Sequence, residues 1–189
     1  DHSLPLHSGY TFRTRAIMKA QIAAGWDARG LTGLRQYQHG QQPESFEEEA
    51  EGLHFYRTPA TQSGLPLLRE WREVRALEKR IVDLHRAWPF DIVHAHSPAL
   101  NGLAAARAAE RLGLPFVYEI RAFWEDAAVG NGTGREGSPR YLLTRALENH
   151  VVARADKVAL ICQGLRSDLI TRGFDPTKIF VSPNGDDMD

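Results

Sequence analysis

Hydrophobic and polar positions alternate along this chain in two different periods. From Leu67 to Trp88 the apolar residues Leu67, Trp71, Val74, Leu77, Ile81, Leu84 and Trp88 recur every three or four positions, which predicts an amphipathic helix ended by Pro89. Short, nearly continuous apolar runs mark strands at Trp26–Leu34, Leu53–Arg57, Asp91–His96, Phe116–Ile120, Val158–Ile161 and Ile179–Ser182. Helical patterns lie between them: Thr11–Ala24 with Gly25 as its C-cap, an alanine-rich stretch from Leu100 to Leu112, then Tyr141–Arg154 and Leu165–Arg172. Residues 1–10, residues 38–52 with five glutamates, and Glu125–Arg140 with four glycines read as loops.

Strands alternating with helices predict an α/β fold: a Rossmann-like parallel sheet with helices on both faces, formed by residues 1–189 as one domain. At 42% hydrophobic and 25% charged residues, the chain has the composition of a globular domain with a real core. A formal net charge of -1 gives no reason to expect nucleic acid as a partner. The single cysteine, Cys162, excludes an internal disulfide framework and fits a reducing, cytoplasmic compartment; it follows an apolar strand and is expected to be buried. No apolar run is long enough to span a bilayer.

Chemistry-bearing residues gather at the ends of the predicted strands, where open α/β sheets bind ligands. Gly9, between Ser8 and Tyr10 at a helix start, lets the backbone approach a ligand, and the helix N-terminus suits a phosphate. His94 and His96 are two apart on a strand and point to one side. Metal ligation, cleft lining and satisfied core histidines all compete there; no acidic residue follows in a metal spacing, so no metal is expected. His96 is read as cleft-lining, His94 as structural, and Ser97 as a further hydroxyl at the strand exit. Glu119–Asp126 packs four ionisable groups and two large aromatics into eight residues, so it must emerge from the sheet. Arg121 there either binds an anionic group with two parallel hydrogen bonds or forms an ion pair with Glu119, Glu125 or Asp126. Trp124 is a candidate platform for a sugar or lipid group, and Glu125 a candidate acid or base. The loop bearing Gly130, Gly132, Gly134 and Gly137 matches no Walker or dinucleotide pattern; a mobile lid is an alternative to simple disorder.

Four segments occur in a telling order: Pro5-x-x-Ser8-Gly9-Tyr10, Asp91-Ile92-Val93-His94-Ala95-His96-Ser97, Val117 through Glu125, and the closing Pro183-Asn184-Gly185. Together they resemble the N-terminal half of a GT-B glycosyltransferase of family 4 (group 1), most closely the bacterial members associated with exosortase and exopolysaccharide loci. The resemblance implies an acceptor-side domain whose C-terminal, donor-binding partner domain lies outside this chain, together with a pair of glutamates carried there. It also implies transfer of a hexosyl-type sugar (EC 2.4), with retention, from a nucleotide-sugar donor to a hydroxyl on a lipid-linked or polysaccharide acceptor. The implied substrate-binding residues are Ser8, Gly9, Tyr10, His96, Ser97, Trp124 and Asn184, with Arg121 and Glu125 as the catalytic candidates. No cofactor is implied beyond the nucleotide-sugar itself. Many family members carry a histidine where Arg121 stands, and that histidine touches the donor sugar. The basic positions of the helix from Leu67 to Trp88 imply peripheral contact with the inner face of a membrane, against the plainer reading of a solvated face with i,i+4 pairs. Asp1 opens straight into a loop-like stretch, so a preceding strand is expected to be trimmed or missing; on the resemblance, the chain alone transfers little. The rivals are a free-standing α/β module that binds a glycan or an anion without chemistry, and a metal-dependent hydrolase using His94 and His96.

Overall fold

The computed structural model describes residues 3–33, 36, 45–58 and 66–185. The chain divides into two compact units, Asp1–Ile81 and Val82–Asp189.

The first unit holds α1 (Gly9–Ala23) and three strands, β1 (Gly30–Thr32), β2 (Glu47–Ala50) and β3 (Leu53–Arg57); α2 (Pro66–Ala87) begins in it and runs past its end. The strand order is β1-β3-β2, with β1 parallel and β2 antiparallel to β3. Helix α1 starts two residues earlier than Thr11 because Ser8 caps it: the Ser8 hydroxyl accepts from the Thr11 N–H at 3.2 Å. It stops at Gly25, whose φ of 89° suits glycine, and Trp26 N–H donates back to the Gln21 carbonyl. The strand expected over Trp26–Leu34 shrinks to three residues, and Leu34 lies outside the described residues. The acidic loop expected over residues 38–52 lies outside the description at 38–44, and its later part is corrected to a strand. β2 pairs with β3 because Glu48 neutralises the fully buried Arg57, accepting from its Nε at 2.9 Å and its Nη2 at 2.6 Å. The same guanidinium donates to the Ser3 hydroxyl and the Leu4 carbonyl, tying down the segment that leads into Ser8. Leu4, Met18, Leu53 and Phe55 close the core beside it. In α2, Val74, Leu77, Ile81 and Leu84 are buried as their period predicts, whereas Trp71 is 57% exposed.

The second unit contains β4 (Val93–His96), α3 (Ala99–Leu112), β5 (Phe116–Ile120), α4 (Trp124–Gly130), α5 (Pro139–Arg154), β6 (Lys157–Leu160), α6 (Gln163–Thr171) and β7 (Ile179–Val181). Its four strands are all parallel, in the order β4-β5-β6-β7. Helix α3 packs on β4, β5 and α5, while α6 packs on β6 and β7. Alanines 104, 105, 106, 108 and 109 let α3 pack closely, and Gly113 ends it in the left-handed region at φ 67°. At Gly102 a side chain would sit 2.6 Å from both Tyr118 and Val151, so the Tyr118 ring fills the space that glycine leaves. Ser138 caps α5 by accepting from Tyr141 N–H, with Pro139 at the first helical position. Part of the expected loop Glu125–Arg140 is helix: α4 covers Trp124–Gly130.

Candidate active site

Successive residues of a strand face opposite sides of the sheet, so β5 carries two different chemistries. Tyr118 faces the helices α3 and α5. Glu119 lies on the other face, directly beside His96 in the parallel register. His94 shares that face because it is two residues from His96.

There Glu119 is the hub. It is 1% exposed. Its Oε1 accepts from Arg121 Nε at 2.9 Å, and its Oε2 lies 3.3 Å from His94 Nε2 and 3.9 Å from His96 Nε2. Arg121 Nη2 donates to His96 Nδ1 at 2.8 Å. The two imidazoles meet edge to face, with centroids 4.8 Å apart. Burial, the Arg121 guanidinium and His94 together hold His96 well below the usual histidine range, so its ring is neutral at physiological pH. Because an arginine can only donate, Nδ1 of that neutral ring must be the acceptor and Nε2 carries the proton.

The donor atoms of His94, His96 and Glu119 all lie within 4.8 Å of one another, spacing that a divalent cation can use. The electrostatics argue otherwise. A histidine that ligates through one nitrogen donates an N–H from the other, whereas His96 accepts at Nδ1 and holds its proton at Nε2. Arg121 already supplies the positive charge in this cluster, and a metal would have to displace it.

Of the two alternatives for Arg121, the ion pair with Glu119 is the one seen: its side chain is 3% exposed. The Ser97 hydroxyl is fully buried and accepts from the Arg121 backbone N–H at 3.1 Å, joining the ends of β4 and β5. His96, Ser97 and Arg121 are therefore brought together. Trp124 follows at the start of α4, 39% exposed.

The expectation that Glu125 acts as an accessible acid or base is corrected. Its side chain is 0% exposed, and its Oε1 accepts from Arg172 Nη1 at 3.1 Å, so the carboxyl group is occupied by a structural contact inside the unit. Asn184 is exposed in the turn after β7. Ser8, Gly9 and Tyr10 belong to the first unit, where Ser8 acts as the helix cap and Gly9 is exposed. Cys162, expected buried, is exposed: β6 ends at Leu160, and Cys162 is the N-cap of α6 at the strand-end surface.

From the sequence Glu119 is only one of three candidate ion-pair partners for Arg121, and Arg172 only the end of a helix. An acidic residue on a strand following His-x-His could have flagged Glu119. Arg172 is 47 positions from Glu125, and nothing local announces the pair.

Residues 8–185 match the family described as Glycosyl transferase 4-like domain. No curated protein matches. Among solved structures, sucrose-phosphate synthase from Thermosynechococcus elongatus superimposes with a TM-score of 0.71 at 14% identity, over 98% of this chain and 44% of that one. A shorter chain of the same synthase gives 0.65 at 13% identity, over 92% of this chain and 84% of that one. At such identities the likeness speaks for the fold, that of the N-terminal half of a GT-B glycosyltransferase, and the chain spans less than half the length of the longer synthase chain. With a family match that runs through both units and takes in every strand, the chain belongs to the glycosyl transferase 4-like family.

Proposed function

We propose that this chain is the acceptor-side domain of a retaining glycosyltransferase that moves a sugar from a nucleotide-sugar to a hydroxyl of a lipid-linked or polysaccharide acceptor. The observation that carries the reading is the neutral, hydrogen-bonded His96 at the C-terminal ends of two adjacent parallel strands, in a chain of this family. Arg121 and Glu119 act behind it. They fix the ring and its tautomer, so that a neutral imidazole with one N–H meets the substrate. Trp124 offers its ring to a sugar face. The donor nucleotide binds mainly to a second domain of the same protein, which makes the chain alone a poor catalyst. Helix α2 supports membrane contact through Leu68 and Trp71, both at least half exposed, with the Arg75 guanidinium 5.5 Å from the Trp71 ring. The exopolysaccharide subgroup is the setting in which such an acceptor arises.

The test is transfer by the intact protein, with UDP-, GDP- and ADP-sugars and polyprenyl-linked acceptors, followed by release of nucleoside diphosphate. The His96→Ala variant should lose about 100–10,000-fold in turnover with little change in melting temperature. Full turnover in that variant would remove His96 from the mechanism.

A further inference from the structure

Trp124 opens a helix that has little of its own to hold it. α4 is seven residues long and ends on Gly130, its N-cap Phe123 provides no side-chain hydrogen bond, and the segment after it carries Gly132, Gly134 and Gly137. Isolated helices of this length do not persist in water. Yet the corner is well buried on one side: Phe123 is 4% exposed and Glu125 2%.

A single side chain from a distant element meets both. Arg172, the residue after α6, is 3% exposed at its side chain. Its guanidinium carbon lies 4.0 Å from the centre of the Phe123 ring. Nη1 donates to Glu125 Oε1 at 3.1 Å and to Asn149 Oδ1 at 3.2 Å, and Nη2 lies 3.9 Å from Asp126 Oδ2. Asp168, one turn back on α6, anchors the arginine itself at 2.6 Å from Nη2. The arginine thus grips the residue before Trp124 through its ring and the two residues after it through their carboxylates, while Asn149 ties the same group to α5. Arginine suits this task because it stacks on an aromatic face and donates from a planar fork at once; lysine can do only one at a time.

We infer that Arg172 is a positioning residue for Trp124, fixing the corner that presents the indole to a sugar. The inference rests on the reading of Trp124 as a sugar contact, but its structural part is testable without that reading.

Backbone amide exchange in Arg172→Met compared with wild type is the experiment. Peptides covering residues 124–130 should exchange at least tenfold faster, while peptides from α3 keep their wild-type rates; Arg172→Lys should fall between the two. Equal exchange over residues 124–130 in a folded Arg172→Met protein would overturn the inference, as would uniform acceleration that includes α3. Should Arg172→Met not fold, Glu125→Gln carries the same test, because it removes the charge the arginine grips; unchanged exchange in that variant also overturns it. A second readout uses protein with Trp26, Trp71 and Trp88 changed to Phe, which leaves Trp124 as the remaining one of four tryptophans. Acrylamide quenching of Trp124 should rise at least twofold on Arg172→Met. In the same protein a panel of trisaccharides should shift the Trp124 emission. Absence of that shift with the exchange result intact would strike the sugar-contact reading and leave the positioning role standing.

Discussion

Glu148 lies on the inner face of α5, fully buried, with the Tyr118 hydroxyl as the group placed to hydrogen-bond its carboxyl. The groups that face it are the Tyr118 hydroxyl from β5, Glu125 from α4 and Arg172 after α6. Burial pushes its carboxyl from the usual 4.5 up to about 7; Tyr118 and Arg172 pull it back down, and Glu125 adds to the rise. Folding therefore favours the protonated acid. Below pH 4.5 the group is protonated folded or unfolded and costs nothing. As the pH climbs from 4.5 to 7 the unfolded chain ionises while the folded chain resists, and stability is lost throughout that window. Above pH 7 the loss levels off at about 3 kcal/mol, the free energy of the displaced titration. Glu148→Gln keeps the shape and cannot ionise. Urea unfolding of both proteins at pH 4 through 8.5 should show a difference that grows across pH 4.5–7, in favour of the variant, and is constant beyond. A fixed cost of burying the amide shifts that difference curve without changing its slope. Parallel stability curves for the two proteins would refute the reasoning.

Gly102→Ala should lower stability by about 1–3 kcal/mol, because the new methyl meets Tyr118 and Val151 at 2.6 Å, both held within the sheet and helix core; an unchanged melting temperature would contradict that packing. Cys162 should react fully with a thiol reagent such as DTNB in the native protein, one equivalent per chain; a requirement for denaturant would contradict its exposure.

Elements whose burial repeats in sequence were legible. α2, α3, β4, β5 and β6 all declared themselves by period or by a continuous apolar run, and the order of strands and helices named the fold class. β2 did not, since Glu47-Glu48-Glu49-Ala50 has no apolar alternation; what makes it a strand is the buried Arg57 across the ladder, and sequence does not show register. α4 was hidden because its helix is held by Arg172 from far along the chain rather than by a cap or a stripe of its own. The same limit governed the candidate site. That His94 and His96 share a face follows from spacing alone, but that Glu119 stands beside them depends on which residues of two strands align. One signal was present and unused: Glu148 falls seven positions after Tyr141 and three and four before Val151 and Val152, so helical periodicity alone puts a carboxyl on the buried face.

Among the described residues β2 closes one side of its sheet, with β3 as its neighbour. An edge of this kind offers backbone donors and acceptors to any extended segment that drifts past, including one from another copy of the chain. Here the approach is guarded. Glu47 is mostly in solvent, Glu48 is already engaged by Arg57, and Glu51 just beyond the strand is bound by Arg15. A second copy docking the same strand would set its own run of carboxylates against this one. The stretch that looked least like structure thus discourages strand-to-strand self-association, and replacing Glu47 and Glu49 by threonine or valine would open a route to aggregation while leaving the Glu48–Arg57 pair in place.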